Sequence, residues 1–438
     1  MRKIIRLNEI DDTARWRVGG KSLVLSQMAQ AGFLVPETVC ITTDVYNAYL
    51  ELTGLRERIM RELHRKDMGE MRWEEVWDAA TRIRSLLVNT PIPDPLHSDL
   101  QAYIETHFKD TPTVVRSSAI DEDSARASFA GLHESIVNVV GTQAIIDAVR
   151  RVWASLWSDA AILYRNEIGL DAQKSAMAVI VQAMIAGECS GVAFSRNPND
   201  ESQSVIEAVY GLNQGLVDGQ IEPDRWILDR RSKKIIAHTP AHRNGCMAPQ
   251  KGQVVLAPLT EALKAKPPLA DADVAMVMDA AYRLEKLFHG PQDVEWTLKG
   301  GQLYLLQARP ITTTFSDDPM DKRTWYLSLH RSFDNLKTLR KKIEKELIPE
   351  MIRVAGRMAD QSLEVLDNTA LAAEIKRRQQ INMHWANIYW SEFIPFAHGI
   401  RLFGQVYNDT MRPDNPYEFV DLLGQTQMES LTRNRLLE

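Results

Sequence analysis

Cysteine is scarce: Cys40, Cys189 and Cys246 are the three in a chain of 438 residues. They stand far apart and make no CxxC pair, which excludes a disulfide framework or a zinc ribbon and fits a reducing cytoplasm. Basic charge is not in excess either. Lys plus Arg is 52 against 58 Asp plus Glu, a formal charge of −6, whereas a nucleic-acid binder carries a basic surplus. Long apolar runs are missing. The most apolar stretch, 176–186, is too short to span a bilayer and contains Gln182. The start, MRKIIRLNEI, has neither the apolar segment nor the small-residue cleavage site of a signal peptide. The histidines form no ligand cluster, and Cys189 has no nearby His to make it a nucleophile. Neither nucleic acid nor a membrane is an expected partner.

What remains is the balance of an ordinary globular protein, 45% hydrophobic and 25% charged. One core rarely grows beyond ~250–300 residues, so at least two domains are expected. Lys21 to Ala31 reads as a helix stopped by Gly32, and Val35 to Thr42 as a strand, with Thr43 or Asp44 capping the helix after it. Residues 55–105 read as charged helices broken near Pro91, Pro93 and Pro95. From Thr113 the texture turns to strands: around Val114, at 135–140, 177–182, 192–194 and 205–209, and a hairpin at 226–228 with 234–237. Val274, Val277, Ala281, Leu284 and Phe288 recur at helical spacing, ended by Gly290. A last hairpin, 294–298 with 303–308, is followed by a linker near 315–319. The rest reads as helical. An antiparallel run of strands after a helical start predicts an α+β fold rather than a doubly wound sheet.

Gly19-Gly20-Lys21-Ser22 invites a P-loop reading, which fails because Arg15 stands where the first Gly belongs. A Gly-Gly turn leading into a helix remains, and it sets Lys21 beside orphan N–H groups where a phosphate could sit. A solvated surface Lys would look the same. Arg116 ends a strand before a Ser- and Asp-rich loop. Its planar fork suits phosphate oxygens, or a salt bridge to that acidic loop. The last hairpin is more specific. Asp293 and Glu295 share one strand face, and so do Gln307 and Arg309. A three-residue loop at 300–302 sets Glu295 opposite Gln307 and Asp293 opposite Arg309, with Val294, Trp296, Leu306 and Ala308 on the other side. Carboxylate and amide oxygens are what Mg²⁺ takes, with substrate phosphates completing its shell. The plain alternative is an exposed hairpin face with a cross-strand salt bridge.

Taken in order, Gly-Gly-Lys-Ser, VVRSSAIDEDSARASFAG, VIVQAMI, SGVAFSRNP, IEAVYGLNQGLVDGQIEPD, QDVEW and LYLLQARPIT resemble the N-terminal ATP-binding domain of phosphoenolpyruvate synthase, pyruvate phosphate dikinase and rifampin phosphotransferase. The likeness runs from about residue 10 to 314. It implies a two-lobed ATP-grasp domain over 1–314; the helical pattern beyond it is expected to form an all-helical linker or docking segment over 325–438. The likeness also implies ATP and Mg²⁺ as ligands. Lys21, Arg116 and Arg309 would hold ATP phosphates, and Glu295 and Gln307 would ligate Mg²⁺ with Asp293 close by. Gln182 and the backbone after it would meet the adenine. Gly131 and Ser135 would belong to a mobile loop over the phosphates, and loop 117–131 is expected to order there when ATP binds. Two departures stand out: Leu132-His133 follows Gly131 where the family has Gly-Gln after its SFA segment, and Gly211-Leu212-Asn213-Gln214 replaces Gly-Leu-Gly-Glu.

The resemblance further implies that phosphate passes to a His on a separate swivelling domain. No His of this sequence sits in the Gly-Gly-x-x-x-His setting of that domain, so the chain reads as an N-terminal fragment or one subunit of a split enzyme; a homodimer is compatible with it. Two other classes fit the same residues. One is a nucleotide-binding regulatory module without transfer chemistry. The other is an ATP-grasp ligase, whose product is ADP rather than AMP. At the far end, Phe333, Leu336, Leu339, Ile343 and Leu347 recur at helical spacing up to Pro349, and Asn368 or Thr369 can cap another helix. The aromatic group Trp385, Tyr389, Trp390, Phe393 and Phe396 then predicts a surface on which the absent phosphohistidine domain docks; the plain alternative is extra core that covers the ATP domain.

Overall fold

A computed structural model of the chain describes residues 3–66, 71, 73–120, 132–171, 174–198, 200–217, 220–250, 252–311 and 339–420. The chain divides into two compact units, Met1–Leu327 and Ser328–Glu438.

The first unit begins with β1 (Ile4–Arg6), α1 (Arg15–Gln30) and β2 (Thr38–Ile41). Four helices follow: α2 (Thr43–Thr53), α3 (Leu55–Leu63), α4 (Trp73–Asn89) and α5 (Leu96–His107). Next come β3 (Thr113–Ala119), β4 (Ser135–Val139), α6 (Thr142–Ser155), α7 (Asp159–Glu167) and β5 (Met177–Ala183). The chain continues through β6 (Cys189–Phe194), β7 (Gln203–Tyr210), α8 (Gln214–Val217), β8 (Asp224–Asp229) and β9 (Ile235–Thr239). Then β10 (Gly245–Gln250), β11 (Gln253–Pro258), α9 (Glu261–Lys264), α10 (Asp271–Leu287), β12 (Gln292–Lys299) and β13 (Gln302–Pro310) complete it.

The strands form a five-stranded sheet ordered β1-β2-β5-β3-β4, a six-stranded sheet ordered β13-β12-β6-β7-β8-β9, and the β10-β11 pair. Neighbours run antiparallel throughout both large sheets. The class is α+β. Strand alternation divides the apolar side chains between two cores. On one face of the five-stranded sheet, Val39, Ile41, Val115, Val179 and Val181 pack under the α2–α7 helices. On its other face, Cys40, Ala178 and Ile180 share a core with α1, α10 and the six-stranded sheet, including Ile206, Trp226, Val294 and Trp296.

Three local expectations change. The strand texture read from Thr113 onward passes over α6 and α7. The β-branched residues of α6 disguise a helical stripe, in which Ile145, Ile146, Val149, Val152 and Trp153 are all buried; burial of that stripe overrides local propensity. The β10-β11 hairpin was not anticipated. And α1 starts at Arg15, with one non-helical residue inside it, Gly19 at φ 74° and ψ 174°.

In the second unit the helices are α11 (Ile348–Ala359), α12 (Asn368–Ile388) and α13 (Ile394–Met411). Leu339 and Ile343 of the expected apolar repeat are buried, while Phe333 and Leu336 lie outside the described residues. Pro349 does not stop the helix. A π-turn at Ile343–Leu347 runs straight into α11, and a second, at Tyr389–Phe393, runs into α13 just before Pro395. The wider turn lets the chain continue past a proline that has no N–H to give. The cap of α12 is Asp367, whose carboxylate accepts from the Ala370 N–H at 2.8 Å, rather than Asn368 or Thr369. Arg378 of α12 donates to the Met358 carbonyl of α11 at 2.8 Å and also holds the buried Glu374. Trp385, Tyr389 and Phe393 are half-buried; the side chains of Trp390 and Phe396 lie outside the described set. No helix among the described residues is long and apolar enough to cross a membrane.

Candidate functional site

The polar face begins on the β12-β13 hairpin. Asp293 pairs with Arg309 and Glu295 with Gln307, the opposition expected from alternation. The route to it differs. The turn is two residues, Gly300 and Gly301, both at positive φ (57° and 73°), closed by the Lys299–Gln302 pair rather than by a three-residue loop. That turn alone would set Glu295 opposite Leu306. A bulge between Glu295 and Trp296 shifts the register by one residue and leaves Leu306 over. Leu305 therefore joins Val294, Trp296 and Ala308 in the core, and Leu306 is only half-buried. Arg309 Nε donates to Asp293 Oδ2 at 2.7 Å.

Arg116 comes from β3 in the other sheet and reaches this hairpin. Its Nη1 donates to the Leu306 carbonyl at 3.1 Å, on the residue the bulge leaves unpaired. Its Nη2 donates to Glu295 Oε2 at 3.0 Å and to Gln307 Oε1. Ser135 on β4 stands beside Arg116 in register. Lys21 Nζ donates to Ser117 Oγ at 3.1 Å, at the end of the same strand. Gly19 permits that approach. A Cβ at Gly19 would lie 2.0 Å from the Ser118 carbonyl oxygen, and its φ of 74° is one that side chains rarely adopt. Ser118 Oγ locks the contact, donating to the Val18 carbonyl at 2.7 Å and accepting from the Ser22 N–H at 3.1 Å.

Three cations thus surround one carboxylate. Burial pushes the Glu295 carboxyl up, but the charges of Arg116, Arg309 and Lys21 and the Arg116 hydrogen bond outweigh it and hold the group below its ordinary value. Glu295 and Gln307 fit Mg²⁺. Their two oxygens converge on one cationic nitrogen of Arg116, so the site already presents hard donors to a positive group. No group of three His, Cys, Asp or Glu side chains placed to hold a metal occurs among the described residues.

The other expected residues are placed as follows. Gln182 is buried on β5, and its amide nitrogen donates to Thr38 Oγ1 at 2.9 Å. The Ala183 N–H then goes to the Glu37 carbonyl and the Met184 N–H to that of Pro112. Gly131 and the rest of 121–131 lie outside the described residues. Sequence reasoning passed over Glu207 and Arg225, although strand register could have found them. Glu295 pairs with Val192, Val192 with Glu207 and Glu207 with Arg225, so all project from the same face. Burial raises the Glu207 carboxyl, and Asp293 adds to this against the pull of Arg225. His133, one of the two departures in the motifs, is held neutral. Burial first, then the charges of Arg165 and Lys21, bring its pKa down to about 3.

Arg116 from one sheet thus meets the Glu295–Gln307 oxygen pair of the other, beside the Arg309–Asp293 pair on the same hairpin face, with Lys21 of α1 held at Ser117. A family model described as pyruvate phosphate dikinase, AMP/ATP-binding domain, matches residues 16–326, and the chain belongs to that family. It is 32% identical over 305 residues to a probable phosphoenolpyruvate synthase of Methanothermobacter thermautotrophicus, covering 67% of this chain and 44% of that protein. It is 33% identical over 318 residues to a rifampicin phosphotransferase of a Streptomyces species, covering 72% of this chain and 36% of that one. A probable phosphoenolpyruvate synthase of Methanocaldococcus jannaschii is 33% identical over 321 residues, or 72% of this chain and 27% of that protein. The chain spans less than half the length of these relatives.

Proposed function

We propose that this chain is the ATP- and Mg²⁺-binding part of a dikinase-type phosphotransferase, working in the cytoplasm. In this reading residues 1–314 form a two-lobed ATP-grasp domain, one lobe on each large sheet, and 325–438 form a helical docking segment. The observation that carries the reading is the convergence of Arg116 from one sheet on Glu295 and Gln307 of the other.

Lys21, Arg116 and Arg309 neutralise the phosphates and hold them in line for attack, since phosphoryl transfer asks mainly for positioning and charge stabilisation. Mg²⁺, held by Glu295 and Gln307 with Asp293 close by, supplies further neutralisation of phosphate oxygens. The carboxylates that pair with Arg116 and Arg309 keep these cations oriented before the nucleotide arrives. Gln182 and the backbone after it meet the adenine, and Gly131 and Ser135 border the phosphates. A His on a separate domain attacks the β-phosphate and displaces AMP, leaving a pyrophosphohistidine; water then takes the terminal phosphoryl group, so the products are AMP, phosphate and a phosphohistidine. The final acceptor differs among relatives that bear the names phosphoenolpyruvate synthase and rifampicin phosphotransferase, and it is bound outside residues 1–314.

Product analysis tests this. With the phosphohistidine domain supplied in cis or in trans, ATP should yield AMP and phosphate. Arg309→Ala and Glu295→Ala should abolish turnover without loss of fold. ADP as the product, or unchanged turnover in either variant, would overturn the assignment.

A further inference from the structure

We infer that Asn213, with Gln214 beside it, is a polar subsite of the nucleotide site that reads the ribose hydroxyls. This rests on the nucleotide reading above.

The first observation is an amide with nothing to bind. Asn213 stands just before α8, and its carbonyl accepts from the Leu216 and Val217 N–H groups at 3.1 and 3.0 Å. An asparagine there ordinarily turns its side-chain oxygen to the helix N–H groups as a cap. This one does not. Its Oδ1 and Nδ2 are both buried without a hydrogen-bonding partner among the described residues, and so is Gln214 Oε1. Asn213 is 9% exposed. Buried polar groups are paired in the great majority of cases, and an unpaired one is held at a net cost to stability.

The second observation is place. The chain leaves β7 through Gly211, at φ 74°, where a Cβ would lie 2.4 Å from the Met247 carbonyl oxygen. The Gly211 N–H donates to the Glu188 carbonyl at 2.9 Å, and the Gly211 carbonyl accepts from Ser190 Oγ at 2.6 Å. Ser190 Oγ lies 2.8 Å from Thr297 Oγ1. Ser190 and Thr297 pair in register, two residues along from Val192 and Glu295, and so share their face. Residues 211–214 therefore start from the sheet face that carries Glu295. They do so at the end where the chain arrives from Gln182, away from Arg309 and Asp293. With phosphates at Arg116 and Arg309, that end belongs to the nucleoside.

The chemistry selects the group. An amide offers one acceptor oxygen and two donor hydrogens and carries no charge. Phosphate oxygens only accept, and would leave Asn213 Oδ1 and Gln214 Oε1 unpaired. A vicinal diol both donates and accepts, so it satisfies both ends.

The test is calorimetric binding of MgATP and of Mg-2′,3′-dideoxy-ATP to the full chain, with thermal melting of the unliganded protein. The wild-type chain should prefer ATP by on the order of tenfold, the penalty for leaving buried amide atoms unpaired. Asn213→Ala should bring the two nucleotides to near parity by weakening ATP alone. Its melting temperature should not fall, because the substitution removes unpaired buried atoms. Asn213→Ser, a smaller change, should narrow the ratio in the same direction. An unchanged ratio, an equal loss for both nucleotides or a marked fall in melting temperature would overturn the inference and leave the nucleotide reading standing. Failure of the wild-type chain to bind either nucleotide would overturn both.

Discussion

Replacing Arg116 with methionine keeps an unbranched stem and removes the guanidinium with its charge. In the protein, Arg116 makes an ion pair with Glu295 at 3.0 Å, with side chains only 11% and 15% exposed. It also supplies donors to Gln307 and the Leu306 carbonyl. Breaking a fully buried pair from one side costs about 3–5 kcal/mol. Discounting for this partial exposure leaves about 2–4 kcal/mol, a fall of roughly 3–6 °C in a unit that spans Met1–Leu327. The loss depends on pH. Glu295 is depressed in the folded wild type, so its contribution is present above the unfolded-state pKa and fades as pH falls through the folded value. In Arg116→Met the opposing effect, burial, gains weight, the folded pKa rises, and the charged carboxylate becomes a penalty that protonation relieves. The gap in melting temperature between the two proteins should thus be widest near pH 7 and shrink below about pH 4.5. Thermal melts across that range decide the matter. A gap that is absent at pH 7, or that grows on acidification, would refute the reasoning.

Other outcomes follow from the same geometry. Gly19→Ala should destabilise by about 2–4 kcal/mol, combining left-handed strain with the clash against Ser118. Gly300→Ala, which meets nothing within 4 Å, should show only the strain, about 1 kcal/mol, in the same melts. Arg309→Ala takes the ion pair away from the buried Asp293 carboxylate, so adding Asp293→Asn should restore part of the melting temperature but none of the ATP affinity. His133, with its folded pKa brought down to about 3, contributes stability that is present above about pH 6.5 and lost on acidification, as the unfolded chain binds a proton the folded one refuses. Denaturation at pH 7 and pH 5 should show His133→Gln losing about 1–2 kcal/mol less than the wild type over that interval.

The polar hairpin was legible in the sequence because strand alternation is a strict period of two, and one face of β12-β13 carries Asp293, Glu295, Gln307 and Arg309. Its turn was not, because a two-residue loop with a bulge and a three-residue loop give the same pairing of Glu295 with Gln307. They differ only in whether Leu305 or Leu306 enters the core. The bridge from Arg116 to that hairpin could not be read locally, since it joins positions 179 and 191 residues apart. The Gly-Gly turn was visible, but the need for Gly19 came only from Ser118 of another element. Helix α6 was passed over because β-branched and aromatic residues fill its buried stripe. Pro349 looked like a stop because the π-turn that carries the helix past it has no pattern in the residue order. Asn213 was noticed only as a departure from a motif; its burial without partners is a property of the fold.

Direct binding of the nucleotide tests the central claim most plainly. Calorimetry of the full chain with ATP should show a single site that requires Mg²⁺ for full affinity. That affinity should fall sharply in Glu295→Ala and Arg309→Ala, with unliganded folds retained by circular dichroism. Binding that ignores Mg²⁺ and both substitutions would contradict the account.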